Sequence, residues 1–179
     1  VETVKLVSRM CEAFSRRGPD NQGIKSLNDI TLRHRRLAII DLSENANQPM
    51  SSADERFHIV FNGEIYNFIG IKNELKKSGY SFQTNSDTEV ILYAFEKYGE
   101  SCFKMFNGMF TLAIWDSKLR TLTFAKDRFG KKPLYYYFDK NGNVTFASEI
   151  KALKQDSSIP FEVSYEALNC FLAIGYILS

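Results

Sequence analysis

The sequence predicts an α+β domain of packed layers, and three observations lead there. Apolar residues at helical spacing come first, then short strands, two further helices and a last succession of strands. Strands and helices do not alternate regularly, which argues against a doubly wound parallel sheet. The chain has 179 residues, 44% hydrophobic and 25% charged, enough to bury a core without a disulfide or a metal.

Val4, Val7, Met10, Cys11 and Phe14 recur at helical spacing, and Gly18-Pro19 stops that helix. Ile30-Thr31-Leu32 begins a strand, and Leu37-Ala38-Ile39-Ile40 is a short, fully apolar strand-like run. Residues 43–56, rich in Asn, Ser and Asp, read as one surface loop. Residues 57–61 form another strand, ended by Asn62-Gly63. Residues 69–77 are helical, with Asn67 as cap and Gly79 at the close. Ser86 and Glu89 make a capping box for the clearest helix, whose buried face is Val90, Ile91, Ala94, Phe95 and Tyr98 before Gly99 ends it. Strands follow over 109–115, 122–126 and 134–138, and Asn141-Gly142 turns the last of these into 144–147. Ser164 caps a tail helix, and the apolar stretch 175–179 has nothing after it to pack on.

Composition narrows the function. Lys plus Arg total 23 and Asp plus Glu 21, a net charge of +2, so no nucleic-acid partner is implied. Cys11, Cys102 and Cys170 are odd in number and widely spaced, which suits reduced thiols in a cytoplasmic protein. His34 and His58 are the only histidines, without metal-ligand spacing, so no metal site is expected. There is no repeat, no signal peptide and no apolar run of membrane-spanning length.

Four stretches could carry chemistry. Arg36, at the mouth of the apolar run, offers a planar fork to a carboxylate; taken alone, a surface ion pair explains it better, and Asp41 reads as a turn residue. Asn62-Gly63 joins a side-chain amide to a bare N–H, two donors fit for an oxyanion, although a plain turn is the simpler account. Asp87 opens a helix, where capping suffices as explanation. Lys126 to Tyr135 mixes charge with Gly and Pro, which suits a basic anion-binding loop, although a structural turn with Asp127 and Arg128 pairing locally is the simpler account.

Together and in order these blocks resemble a known family. Arg17-Gly18-Pro19-Asp20, His34-Arg35-Arg36-Leu37-Ala38-Ile39-Ile40-Asp41, Gln48-Pro49-Met50, Asn62-Gly63-Glu64-Ile65-Tyr66-Asn67 and Ser86-Asp87-Thr88-Glu89 look like the glutaminase domain of glutamine-dependent asparagine synthetases. Asn107-Gly108-Met109-Phe110, Asp127-Arg128-Phe129-Gly130 with Pro133-Leu134-Tyr135, and Ser148 to Leu153 continue the match over nearly the whole chain. The resemblance implies a four-layer αββα sandwich of the N-terminal-nucleophile hydrolase type. It implies a class II glutaminase that releases ammonia from L-glutamine for amidation of aspartate. ATP and Mg²⁺ would act in a C-terminal synthetase domain, with no cofactor in this one. By the same resemblance Arg36 binds the α-carboxylate of glutamine and Leu37, Ala38, Ile39 and Ile40 shape the pocket. Asp87, helped by Glu64, holds the α-ammonium, and Asn62 with Gly63 forms the oxyanion hole. Residues 1–154 would be the glutaminase domain and 155–179 a linker and the start of the synthetase domain. A homodimer is compatible with all of this; a membrane partner is not expected.

One departure stands out. The family's nucleophile is a cysteine at the mature N-terminus whose free amine serves as base. Cys11, Cys102 and Cys170 all fall on helices and read as core or interface residues. The chain opens at Val1, so the expectation is a missing first strand headed by Met-Cys-Gly, without which this chain should not hydrolyse glutamine. A catalytically inactive scaffold, and an amidotransferase with another acceptor, are the other two readings. Retention of the whole glutamine-binding set favours the first.

Overall fold

A computed structural model describes residues 2–177. Val1, Leu178 and Ser179, and with them the end of the apolar tail stretch, lie outside the described residues.

The first helix, α1 (Glu2–Glu12), is followed by a short 3-10 turn and an antiparallel hairpin of β1 (Asn21–Ser26) and β2 (Thr31–Arg36). Next come β3 (Met50–Ser51), β4 (Phe57–Ile65), α2 (Phe68–Lys77) and α3 (Asp87–Tyr98). The strands β5 (Gly108–Asp116) and β6 (Thr121–Lys126) complete an antiparallel sheet in the order β3-β4-β5-β6. A second hairpin, β7 (Tyr135–Phe138) with β8 (Val144–Ala147), leads to α4 (Ile150–Leu153) and α5 (Tyr165–Ile174).

These elements stack in four layers. The helices α2 and α3 cover one face of the four-stranded sheet, where Phe57, Ile59, Phe61 and Ile65 of β4 meet Ile71, Leu75, Val90 and Ile91. Period-two alternation explains this: odd residues of β4 and even residues of β5 point at the helices. The opposite face, carrying Val60, Asn62, Glu64, Thr111 and Ala113, looks toward the two hairpins. Outside the hairpins α1 and α4 pack together over Met10, Ala152, Leu153 and Ile159. Layers α, β, β, α are thus present, as expected.

The hairpin layer is split. The β1-β2 pair and the β7-β8 pair form separate sheets, and edges of β2 and β8 face each other across an open cleft of about 1090 Å³. Val4, Val7 and Cys11 of α1 line its outer side, and β4 and β5 its inner side.

Several local expectations need correction. Residues 37–40 are loop, and the strand is the preceding β2. Its inward residues are Leu32, His34 and Arg36, too polar to register as an apolar face. Asn62-Gly63 does not end a strand: β4 runs through it to Ile65, paired with Gly108 to Thr111. Residues 43–56 are not one surface loop, since Ala46, Gln48, Met50 and Ser52 are buried and β3 lies within. Ser86 does cap α3 by accepting the Thr88 N–H, but the capping box is not closed. Glu89 instead takes the N–H groups of Gln83 and Thr84 and the Thr84 hydroxyl. Asn67 makes no cap bond; its amide bridges to Asn107 N and Met105 O.

Candidate functional site

One edge of β4 organises the site. In an antiparallel ladder alternate residues direct N–H and C=O to opposite sides. Phe110 exchanges bonds with Asp127 on the β6 side, so its partner Gly63 faces the other way, toward β3. Along that edge β3 pairs only with His58 and Ile59. Side chains take over beyond it. The Phe61 N–H donates to Gln48 Oε1 at 2.6 Å, and the Ile65 N–H to Asp87 Oδ2 at 3.0 Å. Between them the Gly63 N–H has no side-chain acceptor among the described residues. Asn62, next to it, lines the cleft, and its amide has no hydrogen-bond partner among the described residues. Two donors therefore stand on one wall of the cavity.

Glycine is required at 63. Its φ is +150°, and a Cβ there would collide with the Met109 carbonyl oxygen on β5.

Arg36 is buried at the end of β2, and its guanidinium is fixed by the 41–47 segment. Its Nη1 donates to Ser43 O at 2.7 Å and Asn47 Oδ1 at 2.8 Å, and its Nη2 to the Asp41 carbonyl. Of the five guanidinium N–H groups, Nε–H and one Nη2–H have no partner among the described residues, which leaves donors for a carboxylate. Asp41 does more than end a turn. Its carboxylate accepts Asn85 N at 2.7 Å, tying the Arg36 loop to the segment that opens α3.

Asp87 begins α3 and is buried. Burial pushes its pKa up to about 6; the Glu64 charge adds to this, while hydrogen bonds from Ile65 and Thr88 oppose it. Capping is not its role, since Ser86 is the cap. An ionised Asp87 in this place calls for a cation. Glu64 lies on the same cavity wall, one residue from Gly63. Cationic and anionic anchors thus flank the two donors.

His34 is turned inward between β2 and β4, and its Nε2 lies 3.1 Å from Phe61 O. A carbonyl only accepts, so Nε2 carries the proton. Nδ1 is shut from solvent and has no partner among the described residues. Burial drives this imidazole down to about pKa 4; the Phe61 bond resists and Arg36 assists.

The remaining expected residues divide. Leu37, Ile39 and Ile40 line the cleft rim and are exposed, whereas Ala38 points its N–H at Asp20 Oδ2 and does not line it. The 126–135 stretch is ordered by Asp127, which accepts N–H groups of Phe110, Phe129, Lys131 and Lys132 and does not pair with Arg128. Burial pushes the Cys11 thiol up to about 11 and the Cys102 thiol up to about 12, so neither is an ionised nucleophile at neutral pH. Among the described residues no group of three or more His, Cys, Asp or Glu could hold a metal, and no helix is long and apolar enough to cross a membrane. Sequence reading passed over Gln48, Asn47 and Asp41 as site supports. Their only signal was membership of the matched blocks or an adjoining polar stretch.

Known proteins resemble this chain along most of its length. The profile of the glutamine amidotransferase domain matches residues 1–179. Glutamine-hydrolysing asparagine synthetase 1 of Bacillus subtilis is 40% identical over 173 residues, 97% of this chain and 27% of that protein. Asparagine synthetase 3 of the same organism is 34% identical over 98% of this chain and 28% of its own length. The Zea mays enzyme is 41% identical over 83% of this chain and 25% of its own length. The chain therefore spans roughly a quarter of these relatives. Among solved structures, the glutamine phosphoribosylpyrophosphate amidotransferase of Bacillus subtilis superposes with a TM-score of 0.69. That match covers 84% of this chain and 40% of the other at 20% identity, a likeness of fold. The fold, the matched profile and these relatives place the chain in the glutamine amidotransferase domain family.

Proposed function

We propose that this chain is the glutaminase half of an asparagine synthase, hydrolysing L-glutamine to glutamate and supplying ammonia for amidation of aspartate. The observation that carries the reading is the placing of the Asn62 amide and the Gly63 N–H, neither with a side-chain partner among the described residues, on the wall of a cleft that Arg36 and Asp87 also line. A free amino acid is a zwitterion bearing a side-chain carbonyl. The site offers a fork for its carboxylate, a carboxylate for its ammonium and two donors for the carbonyl oxygen as it becomes an oxyanion. Each such donor is worth about 3–4 kcal/mol in the transition state. Glu64 adds negative charge beside the ammonium, and Leu37, Ile39 and Ile40 would close the rim over bound substrate, with Ala38 holding their loop to Asp20.

The nucleophile in this reading is a cysteine heading a strand that fills the cleft between β2 and β8. Their unpaired edges and the apolar lining from Val4, Val7, Val60 and Ala113 suit a strand buried on both faces. Attack by its sulfur on the amide carbon, with the thiol proton passing to the terminal amine, would form the tetrahedral oxyanion. Collapse would expel ammonia, with the leaving nitrogen taking its proton from the terminal amine; water would then release glutamate. ATP and Mg²⁺ belong to a further domain in this account, and no residue of this chain is assigned to them. Residues 1–154 form the glutaminase unit. Residues 155–179 lead into the synthetase partner: α5 buries none of its residues, and Phe171, Leu172 and Ile174 stand exposed.

The full-length protein should release glutamate from glutamine, and its reading frame should place a cysteine directly after the initiating methionine. A frame without that cysteine, joined to absence of glutamate release, would favour the inactive scaffold.

A further inference from the structure

We infer that Gln48 and His34 are positioning residues that set the oxyanion hole, an inference that rests on the glutaminase reading. Phe61 sits where β3 has stopped, yet both of its backbone groups on that edge are satisfied by side chains. Gln48 Oε1 accepts its N–H at 2.6 Å, and His34 Nε2 lies 3.1 Å from its carbonyl oxygen. The two side chains stand in for the missing backbone of a neighbouring strand. Neither is assigned contact with substrate.

The effect falls two residues further on. Gly63 directs its N–H to the same edge, and nothing but the strand's own direction aims it. Phe61 is held on one side of it and Ile65 on the other, the latter by Asp87. Gln48 also donates from Nε2 to Thr88 Oγ1 at 3.2 Å, and Thr88 follows Asp87 in α3. The start of that helix thus grips β4 at both flanks of Gly63: through Asp87 at Ile65, and through Thr88 and Gln48 at Phe61. Ammonium anchor and oxyanion donor are held in one register.

Burial makes the bridge rigid. Gln48 and Thr88 are almost wholly removed from solvent, and Gly23 of β1 leaves room for the Gln48 backbone where a Cβ would collide with its carbonyl oxygen. His34 can donate only from Nε2 because Phe61 O is an acceptor, and a proton added at the buried Nδ1 would have no partner. The imidazole is therefore a neutral strut, not an acid or a base.

The test uses the full-length protein, comparing Gln48→Leu and His34→Leu with Gln48→Glu and His34→Gln, which keep a group able to bond Phe61. The leucine variants should lower kcat for glutamine hydrolysis about 10- to 100-fold, as small misplacements of catalytic donors do. KM for glutamine should stay within roughly threefold, and ammonia-dependent synthesis should persist. The conservative variants should recover most of kcat. Unchanged kcat, a rise in KM alone, or no recovery overturns the inference. Should leucine unfold the domain, Thr88→Val decides: it removes only the anchor of the Gln48 amide, and an unaltered kcat refutes the bridge. If the wild-type protein releases no glutamate, the glutaminase reading fails separately. The bridge is then judged by hydrogen exchange of residues 57–65, which must quicken in Gln48→Leu; unchanged protection sinks it.

Discussion

The Asp87 carboxylate takes the Ile65 N–H at 3.0 Å, fastening the start of α3 to the strand that carries Asn62 and Gly63. Burial, with Glu64 near, holds that carboxyl at about pKa 6 against an ordinary value of 3.8. The folded chain therefore keeps a proton between about pH 4 and 6 that the unfolded chain has released. This group's contribution to stability falls as pH rises through that window, and the ionised form above it is costly until a cation arrives.

A bound ammonium favours the ionised form, so glutamine binding should be linked to proton release. KM for glutamine should rise as pH falls below 6, approaching about tenfold per pH unit. Asp87→Asn should bind glutamine weakly at pH 7 and lose this dependence. A wild-type KM that stays flat from pH 7 to 5 speaks against Asp87 as the ammonium anchor.

Arg36→Lys tests the other end. Lysine keeps the charge but cannot hold Ser43 O, Asn47 Oδ1 and Asp41 O while presenting a fork to substrate. KM for glutamine should rise about 10- to 100-fold, with kcat changed much less. Steady-state glutamate release measures both. Loss confined to kcat would remove Arg36 from the carboxylate site.

Gly63→Ala separates strain from chemistry. The alanine would meet the Met109 carbonyl and hold φ at +150°, so the protein should lose more than about 1 kcal/mol of stability as well as activity. Thermal unfolding reports the first effect and glutamate release the second. A fully stable Gly63→Ala protein would mean that β4 and β5 lie further apart.

Cys11 and Cys102 should react slowly with iodoacetamide at pH 7.5, since both thiols are buried and neutral there. Cys102→Ala should leave glutamine hydrolysis intact. Abolished hydrolysis in a folded Cys102→Ala protein would require a different nucleophile from the one proposed.

The layered α+β class, α3 and β5 were legible in the sequence, α3 from apolar residues at helical spacing and β5 from a nearly continuous apolar run that the fold buries on both faces. The errors gathered at the site. Leu37 to Ile40 looked like a strand because it is continuously apolar, yet Leu37 and Ile39 are exposed on a cavity rim. The true strand, β2, turns Arg36 and His34 inward, so its buried face is polar and escapes an apolar pattern. Asn62-Gly63 carries the composition of a turn, but glycine serves there to let β4 pass close to β5. Gln48 was invisible for another reason: its work is a contact with Phe61 across the fold, and its neighbours are those of a surface loop. Residue identities at the site could be carried over from resemblance; the bonds that hold them could not.

The most direct measurement is glutamine-dependent glutamate release by the full-length Asn62→Ala protein, set beside its ammonia-dependent synthesis. The oxyanion account predicts a fall of about 10²- to 10³-fold in kcat for glutamine with ammonia-dependent synthesis preserved. Undiminished glutamate release, or equal loss of both activities, would contradict it.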